Sequence, residues 1–271
     1  MIKWGIIGLG NMGQKFASAI KETSNSKIVG IASKDKNKIK NFKNNFNFTD
    51  LTTYSDYNEI IKDKNINAIY IATLNNTHFD LIKKCSENNK NILCEKPFTL
   101  NYDQGREVYD YVSKNNVIFY EGFAYRSHPQ AKIIREIFDK NELGEIINIQ
   151  SSFGFKVNKI KPESRLFNKK LGGGCILDLG CYTSSLSLLI SSLTSKKDIP
   201  EIKLLNIYKE MGETNVDVDA SAKIIFDESF FSEIYASFKK DLGRKTEIYG
   251  DRGSIVINDS WFGSKSILKK D

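Results

Sequence analysis

The chain of 271 residues is poor in several things, and each scarcity removes a class of function. Its four cysteines, Cys85, Cys94, Cys175 and Cys181, form no C-x-x-C pair. That spacing is what a zinc knuckle or a dithiol redox centre needs, so reduced, partly buried thiols are expected. There are two histidines, His78 and His128, and neither has a cysteine or carboxylate cluster beside it, so no metal site is expected. No apolar run approaches the roughly 20 residues that cross a bilayer. The start lacks the layout of an export signal, because Met1 runs straight into Ile2-Lys3-Trp4-Gly5-Ile6-Ile7, which reads as a first strand. A cytoplasmic protein without membrane attachment is therefore expected. Internal repeats are absent, as are linkers rich in Pro, Gly or Ser.

The composition is ordinary for a globular protein with a core: 40% hydrophobic and 27% charged. The formal net charge of +7 comes from lysines scattered among Asn and Ile, as in Lys36-Asn37-Lys38-Ile39-Lys40-Asn41. No basic stripe interleaved with aromatics appears, so nucleic acid is not an expected partner. A small phosphorylated ligand is a sufficient use for the charge.

Short apolar runs at 2–7, 27–32, 68–72, 91–94 and 117–120 read as strands. Helical patterns at 11–21, 36–45, 56–62, 77–89 and 102–114 separate them. Strand alternating with helix predicts a doubly wound α/β domain with a parallel sheet over residues 1–122. The rhythm then changes. A helix near 129–140, a long run at 145–157 and a helix opened by Gly172-Gly173-Gly174 precede β-type runs at 202–210, 216–226, 230–238, 245–249 and 254–257. Turns as short as Asp227-Glu228-Ser229 join them, which predicts an α+β domain over 123–271 with an open, mostly antiparallel sheet.

Gly8-Leu9-Gly10-Asn11-Met12-Gly13 is G-x-G-x-x-G between a strand and a helix. In that context the pattern is a dinucleotide fingerprint, with the pyrophosphate at the helix N-terminus. Twenty residues after Gly13, where an acidic residue usually takes the ribose 2′-hydroxyl, stand Ser33 and Lys34. A hydroxyl and an ammonium suit a 2′-phosphate, so NADP is expected, with NAD second. Asp35 is expected to cap the next helix.

Glu95-Lys96-Pro97 follows an apolar run, so Lys96 is expected at the carboxyl end of a parallel strand, where ligands of such sheets gather. A lysine there can stabilise developing negative charge on a reacting oxygen. Asp178 and Tyr182 are four apart and would share a helix face. A free phenol ionises near pH 10, and a neighbouring ammonium would favour its phenolate. Asp178 could orient the lysine or bind a substrate hydroxyl.

These segments together resemble the Gfo/Idh/MocA oxidoreductase family, and within it the D-xylose dehydrogenase and dimeric dihydrodiol dehydrogenase group. The resemblance rests on residues 8–13, on Ile71-Ala72-Thr73 with Asn75 and His78, and on Glu95-Lys96-Pro97. It continues through Glu121-Gly122-Phe123-Ala124-Tyr125-Arg126-Ser127-His128-Pro129-Gln130, residues 172–182, and Gly250-Asp251-Arg252-Gly253-Ser254-Ile255. It implies a nucleotide domain followed by a substrate domain, with Lys96 and Tyr182 as catalytic pair and Asp178 beside them. It further implies that the cofactor lies against Thr73, Asn75, His78, Glu95 and Lys96. Arg126, Phe153 and Arg165 would line the substrate pocket, and a cis bond would precede Pro97. The implied reaction is hydride transfer between NADP and a sugar-like alcohol or carbonyl, an aldose or trans-diol. A dimer through the broad sheet is implied as well. Relatives usually continue with further elements where this chain ends at Asp271, so the C-terminus is expected to be short for the family. Two alternatives stay open: a dinucleotide-binding sensor of the same fold without turnover, and a reductase for another ring or imine.

Overall fold

The computed structural model describes residues 1–48, 51–195 and 200–263, and the backbone of 267–270. By the clustering of its contacts the chain divides into two compact units, Met1–Gly122 and Phe123–Asp271.

The first unit alternates strand and helix: β1 (Ile2–Ile7), α1 (Asn11–Lys21), β2 (Ser26–Ala32), α2 (Lys36–Phe46), β3 (Thr52–Tyr54), α3 (Tyr57–Lys62), β4 (Ala68–Ile71), α4 (His78–Glu87), β5 (Asn91–Glu95), α5 (Tyr102–Lys114) and β6 (Phe119–Gly122). The six strands are parallel and ordered β3-β2-β1-β4-β5-β6. This order reverses direction beside β1, and ligands of such sheets bind outside the strand ends at that switch. Side-chain alternation splits the core into two layers. Ile6, Ile31 and Tyr70 pack with Ala17 and Phe42 on one face, while Ile7, Ile69 and Ile71 pack with Ile60 and Ile82 on the other. A strand apolar on both faces is what a sheet covered by helices on both sides requires. The sequence pattern missed β3, whose Thr52 and Thr53 are exposed and carry no apolar alternation. Its register against Gly30, Ile31 and Ala32 places it in the sheet.

The second unit contains α6 (Pro129–Asp139), β7 (Ile146–Gly154), α7 (Cys181–Ser195), β8 (Ile202–Met211), β9 (Asp217–Phe226), β10 (Phe230–Ser237), β11 (Thr246–Gly250), β12 (Ser254–Ile257) and β13 (Ile267–Lys270). They form a seven-stranded sheet ordered β13-β12-β11-β7-β10-β9-β8. It is mixed: β7 and β10 run parallel, and the other neighbours are antiparallel. Asp227 and Glu228 both take positive φ, which reverses the chain between β9 and β10 within three residues. One sheet face, with Ile149, Phe153, Ile224, Phe226, Ile248 and Ile257, shares a core with Leu186, Leu189 and Ile190 of α7 and Ile134 of α6.

The stretch 169–195 is, among the described residues, long and apolar enough to cross a membrane by length and composition. The apolar-run criterion of the sequence passed it over because Ser and Thr interrupt it. Its Leu186 and Ile190 are buried in the unit's core, the place of a core helix.

Candidate active site

In the first unit the site begins at the turn between β1 and α1. Gly8 has φ +98°, and a Cβ there would collide with the Ala72 carbonyl on the neighbouring strand end. A Cβ at Gly13 would strike the Gly8 carbonyl, whereas one at Gly10 would meet nothing within 4 Å. The turn is thus tight at two glycines and open at the third. No side chain caps the first N–H groups of α1 at Gly10. An uncapped helix start with a bare backbone approach is a cradle for a pyrophosphate, so these residues fit a bound dinucleotide. Leu9 is buried, and Asn11 and Met12 are exposed beside it.

At the end of β2, Ser33 is buried and its Oγ accepts from the Asp35 N–H at 3.1 Å. Asp35 caps α2 by accepting from Asn37 and Lys38 N–H groups. Lys34 carries its ammonium over the Tyr57 ring, 5.6 Å from the centroid.

Beyond β4, Thr73 Oγ1 lies 2.6 Å from Thr77 Oγ1, and Asn75 is buried. His78, expected against the cofactor, is fully buried. Its Nδ1 lies 2.9 Å from the Pro97 carbonyl and its Nε2 3.3 Å from the Thr73 carbonyl. With its nitrogens beside two backbone oxygens the ring is a brace between two loops. Burial holds its pKa below the ordinary histidine value, the two carbonyls pulling the other way.

Glu95 ends β5 and accepts from the Tyr70 hydroxyl at 2.5 Å. The Tyr70 ring in turn packs on Phe16 of α1, 4.2 Å between centroids. Lys96 follows, half-buried, and its bond to Pro97 is cis. Glu121 accepts from the Phe98 N–H at 3.1 Å and so holds the loop after the cis bond.

In the second unit the chain enters α7 through an unusual turn. Gly174 has φ +122°, and a Cβ there would overlap the Asp217 carboxylate. That carboxylate accepts from the Ile176 N–H at 2.6 Å. Residues Ile176–Gly180 then form a π-turn, with the Cys181 N–H reaching the Ile176 carbonyl. The expected α-helical spacing of Asp178 and Tyr182 is therefore replaced by a wider turn at Asp178, a feature frequent at functional sites.

Tyr182 sits in a box of rings. Phe123 lies 5.4 Å away edge-on, Phe153 5.5 Å edge-on, Trp261 5.5 Å tilted and Tyr125 6.5 Å tilted. Asp178 is buried and accepts from Arg165 Nη1 at 2.8 Å. Arg165, expected in the substrate pocket, is thus a partner of Asp178, its side chain still 53% exposed and open to a second anion or hydroxyl. Arg126, expected in the same pocket, reaches α7. Its Nη2 donates to the Ser185 carbonyl and hydroxyl, both at 3.0 Å, and the same hydroxyl lies 2.9 Å from Tyr125 Oη. A guanidinium engaged on α7 braces the Tyr125 wall of the ring box. Phe153 is buried and stacks on Trp261 at 5.8 Å. Trp261, Tyr125, Tyr70 and Ser185 were not singled out from the sequence. They act through tertiary contacts, and no spacing signals those. Among the described residues no three His, Cys, Asp or Glu side chains gather as a metal site.

Residues 2–123 match the sequence profile of the Gfo/Idh/MocA oxidoreductase family, NAD-binding Rossmann fold, and residues 132–256 match the Gfo/Idh/MocA C-terminal domain. The chain belongs to the Gfo/Idh/MocA oxidoreductase family. It is 30% identical to a trans-1,2-dihydrobenzene-1,2-diol dehydrogenase of Xenopus tropicalis over 98% of this chain and 78% of that protein. It is 29% identical to a D-xylose 1-dehydrogenase (NADP(+)) of Haloferax volcanii over 69% of this chain and 56% of that one. Among solved structures, an aldose-aldose oxidoreductase of Caulobacter crescentus complexed with glycerol superposes with a TM-score of 0.85. That match has 16% identity and covers 100% of this chain and 83% of the other, so it speaks for the fold alone.

Proposed function

We propose that this member of the family is an NADP-dependent oxidoreductase acting on a sugar-like hydroxyl or carbonyl, an aldose or a trans-diol. The observation that carries the reading is the dinucleotide cradle of Gly8, Gly10 and Gly13, in a chain whose Lys96 and Tyr182 match the motif positions of the family's catalytic residues. The similarity to a diol dehydrogenase and to an NADP-linked xylose dehydrogenase supports the substrate class.

When bound, the nicotinamide supplies the hydride acceptor or donor. The uncapped start of α1 would hold its pyrophosphate, and Ser33 and Lys34 would receive the 2′-phosphate in place of a repelling carboxylate. Glu95, held by Tyr70, and Thr73 shape the strand ends beside this cradle. In the oxidising direction the role that fits Tyr182 is to take the proton of the substrate hydroxyl, and the role that fits Lys96 is to stabilise developing negative charge. In the reducing direction Tyr182 returns the proton. The rings of Phe123, Phe153 and Trp261 pack around the partly buried Tyr182, and Arg165, half-exposed beside Asp178, can donate to neighbouring substrate hydroxyls.

Absorbance at 340 nm with NADP, then NAD, across aldoses, inositols and trans-diols tests the reading. Turnover with NADP and an aldose or diol is expected. Silence across the panel with NADPH still bound would replace it with a non-catalytic sensor.

A dimer formed through the outer face of the second sheet belongs to the same reading. The helices α6 and α7 share a core with the inner face. The outer positions, among them Tyr235, Tyr208 and Ile147, are exposed. Phe231, which lies opposite Asn148 on this face, has the Lys223 ammonium 3.4 Å from its ring centroid. Apolar and aromatic side chains spread over an uncovered sheet suit a second copy. Light scattering at micromolar concentration should return twice the chain mass; a single-chain mass would remove the dimer from the reading.

A further inference from the structure

The loop Ser33-Lys34-Asp35 faces the place where cofactor type is decided, and its shape comes from outside its own strand. The Ser33 N–H donates to the Tyr54 carbonyl at 3.2 Å, and the Asp35 N–H donates to Ser33 Oγ at 3.1 Å. Between them the Lys34 main chain lies within electrostatic reach of the phenol of Tyr57, the first residue of α3. The Lys34 ammonium lies over the same ring at 5.6 Å. One side chain, 23 positions further along the chain, thus meets Lys34 both at its main chain and at its charge.

The acidic groups nearby are otherwise engaged. Asp35 spends its carboxylate on the start of α2, and Asp56 accepts from the Asn58 N–H at 2.9 Å at the start of α3. Asp56 also lies within electrostatic reach of both Lys34 and Lys84, so two cations answer one anion there. Both carboxylates are engaged by main-chain N–H groups, and the cation and phenol are groups that a phosphate uses.

We propose that Tyr57 is a positioning residue for cofactor specificity: it holds Lys34 for a 2′-phosphate and so favours the phosphorylated dinucleotide over the unphosphorylated one. The inference rests on the NADP reading above. It also names a residue that no dinucleotide motif contains, because α3 reaches the loop only through the pairing of β3 with β2.

The test compares NADPH and NADH dissociation constants, by nucleotide fluorescence, for the wild type, Tyr57→Phe, Tyr57→Leu, Lys34→Ala and the Lys34→Ala/Tyr57→Phe double variant. In the wild type NADPH should bind more tightly. Tyr57→Phe keeps the ring and loses the hydroxyl, and should lower the NADPH preference about five-fold; Tyr57→Leu should lower it about ten-fold. NADH affinity should hold in both. In the Lys34→Ala background the Phe change should add less than about two-fold, because the two residues act as one unit. An unchanged preference in both variants overturns the inference. So does an equal loss of both nucleotides, which would mark Tyr57 as a support of the fold alone. A wild type that binds NADH more tightly overturns the NADP reading itself, before any variant is compared. If the Leu variant does not fold, the Phe variant decides, with its thermal midpoint measured alongside.

Discussion

Replacing Tyr182 with phenylalanine should cut turnover by about 10²–10⁴-fold while NADPH binds as before, because a positioned acid/base contributes about that much to rate. The change is chemically narrow. Phe123, Phe153 and Trp261 meet the ring of Tyr182, and a phenyl ring fills the same box. The thermal midpoint should therefore stay within a degree or two of the wild type, which separates loss of chemistry from loss of structure. Steady-state rates at 340 nm with saturating NADP, together with a nucleotide titration, read both quantities. Wild-type turnover in the variant would remove Tyr182 from the proton step, and loss of nucleotide binding would mean that the substitution disturbed more than the hydroxyl.

The second large effect is a contrast between two glycines of one turn. Gly8→Ala should lower the stability of the protein by a few kcal/mol, since a positive φ costs about 1–3 kcal/mol for a residue with a Cβ and the added atom runs into the Ala72 carbonyl. Gly10→Ala should leave the thermal midpoint unchanged, because nothing lies within 4 Å of its new Cβ. It should nevertheless weaken NADPH by at least about ten-fold, because the methyl occupies the space through which the backbone approaches the pyrophosphate. Calorimetry and a nucleotide titration on the two variants give a crossed result. Unaltered NADPH affinity in Gly10→Ala would take the pyrophosphate away from this turn.

Most of the first unit was legible before any coordinates. Ile6, Ile7, Ile69, Ile71 and Ile92 form runs that only a sheet covered on both faces can bury, and the helical stretches between them force parallel pairing. The exception, β3, is three residues long and exposed, so it leaves no hydrophobic trace. The second unit was legible as strands and turns but not as a pairing. Hydrophobic alternation tells which face a residue takes, and it does not tell which strand lies beside it. That β7 pairs in parallel with β10 and antiparallel with β11 is a long-range choice.

The candidate site divides in the same way. Gly8, Gly13, Lys96, Asp178 and Tyr182 are candidates the chain itself offers because their chemistry is local: a turn with no room for a Cβ, a cation at a strand end, a phenol and a carboxylate near a helix start. What the chain by itself does not show is which partner a long or aromatic side chain takes. Arg126 spends its guanidinium on Ser185, Arg165 on Asp178, and His78 its two nitrogens on the Thr73 and Pro97 carbonyls. Sequence alone determined the nucleotide cradle, the alternation that builds the first sheet and the residue types available for proton transfer, because each depends on neighbours a few positions away. Tertiary structure decided which rings surround Tyr182, which tyrosines hold Glu95 and Lys34, and which charges remain for a ligand, because a polar group removed from water takes whatever partner the fold brings within about 3 Å.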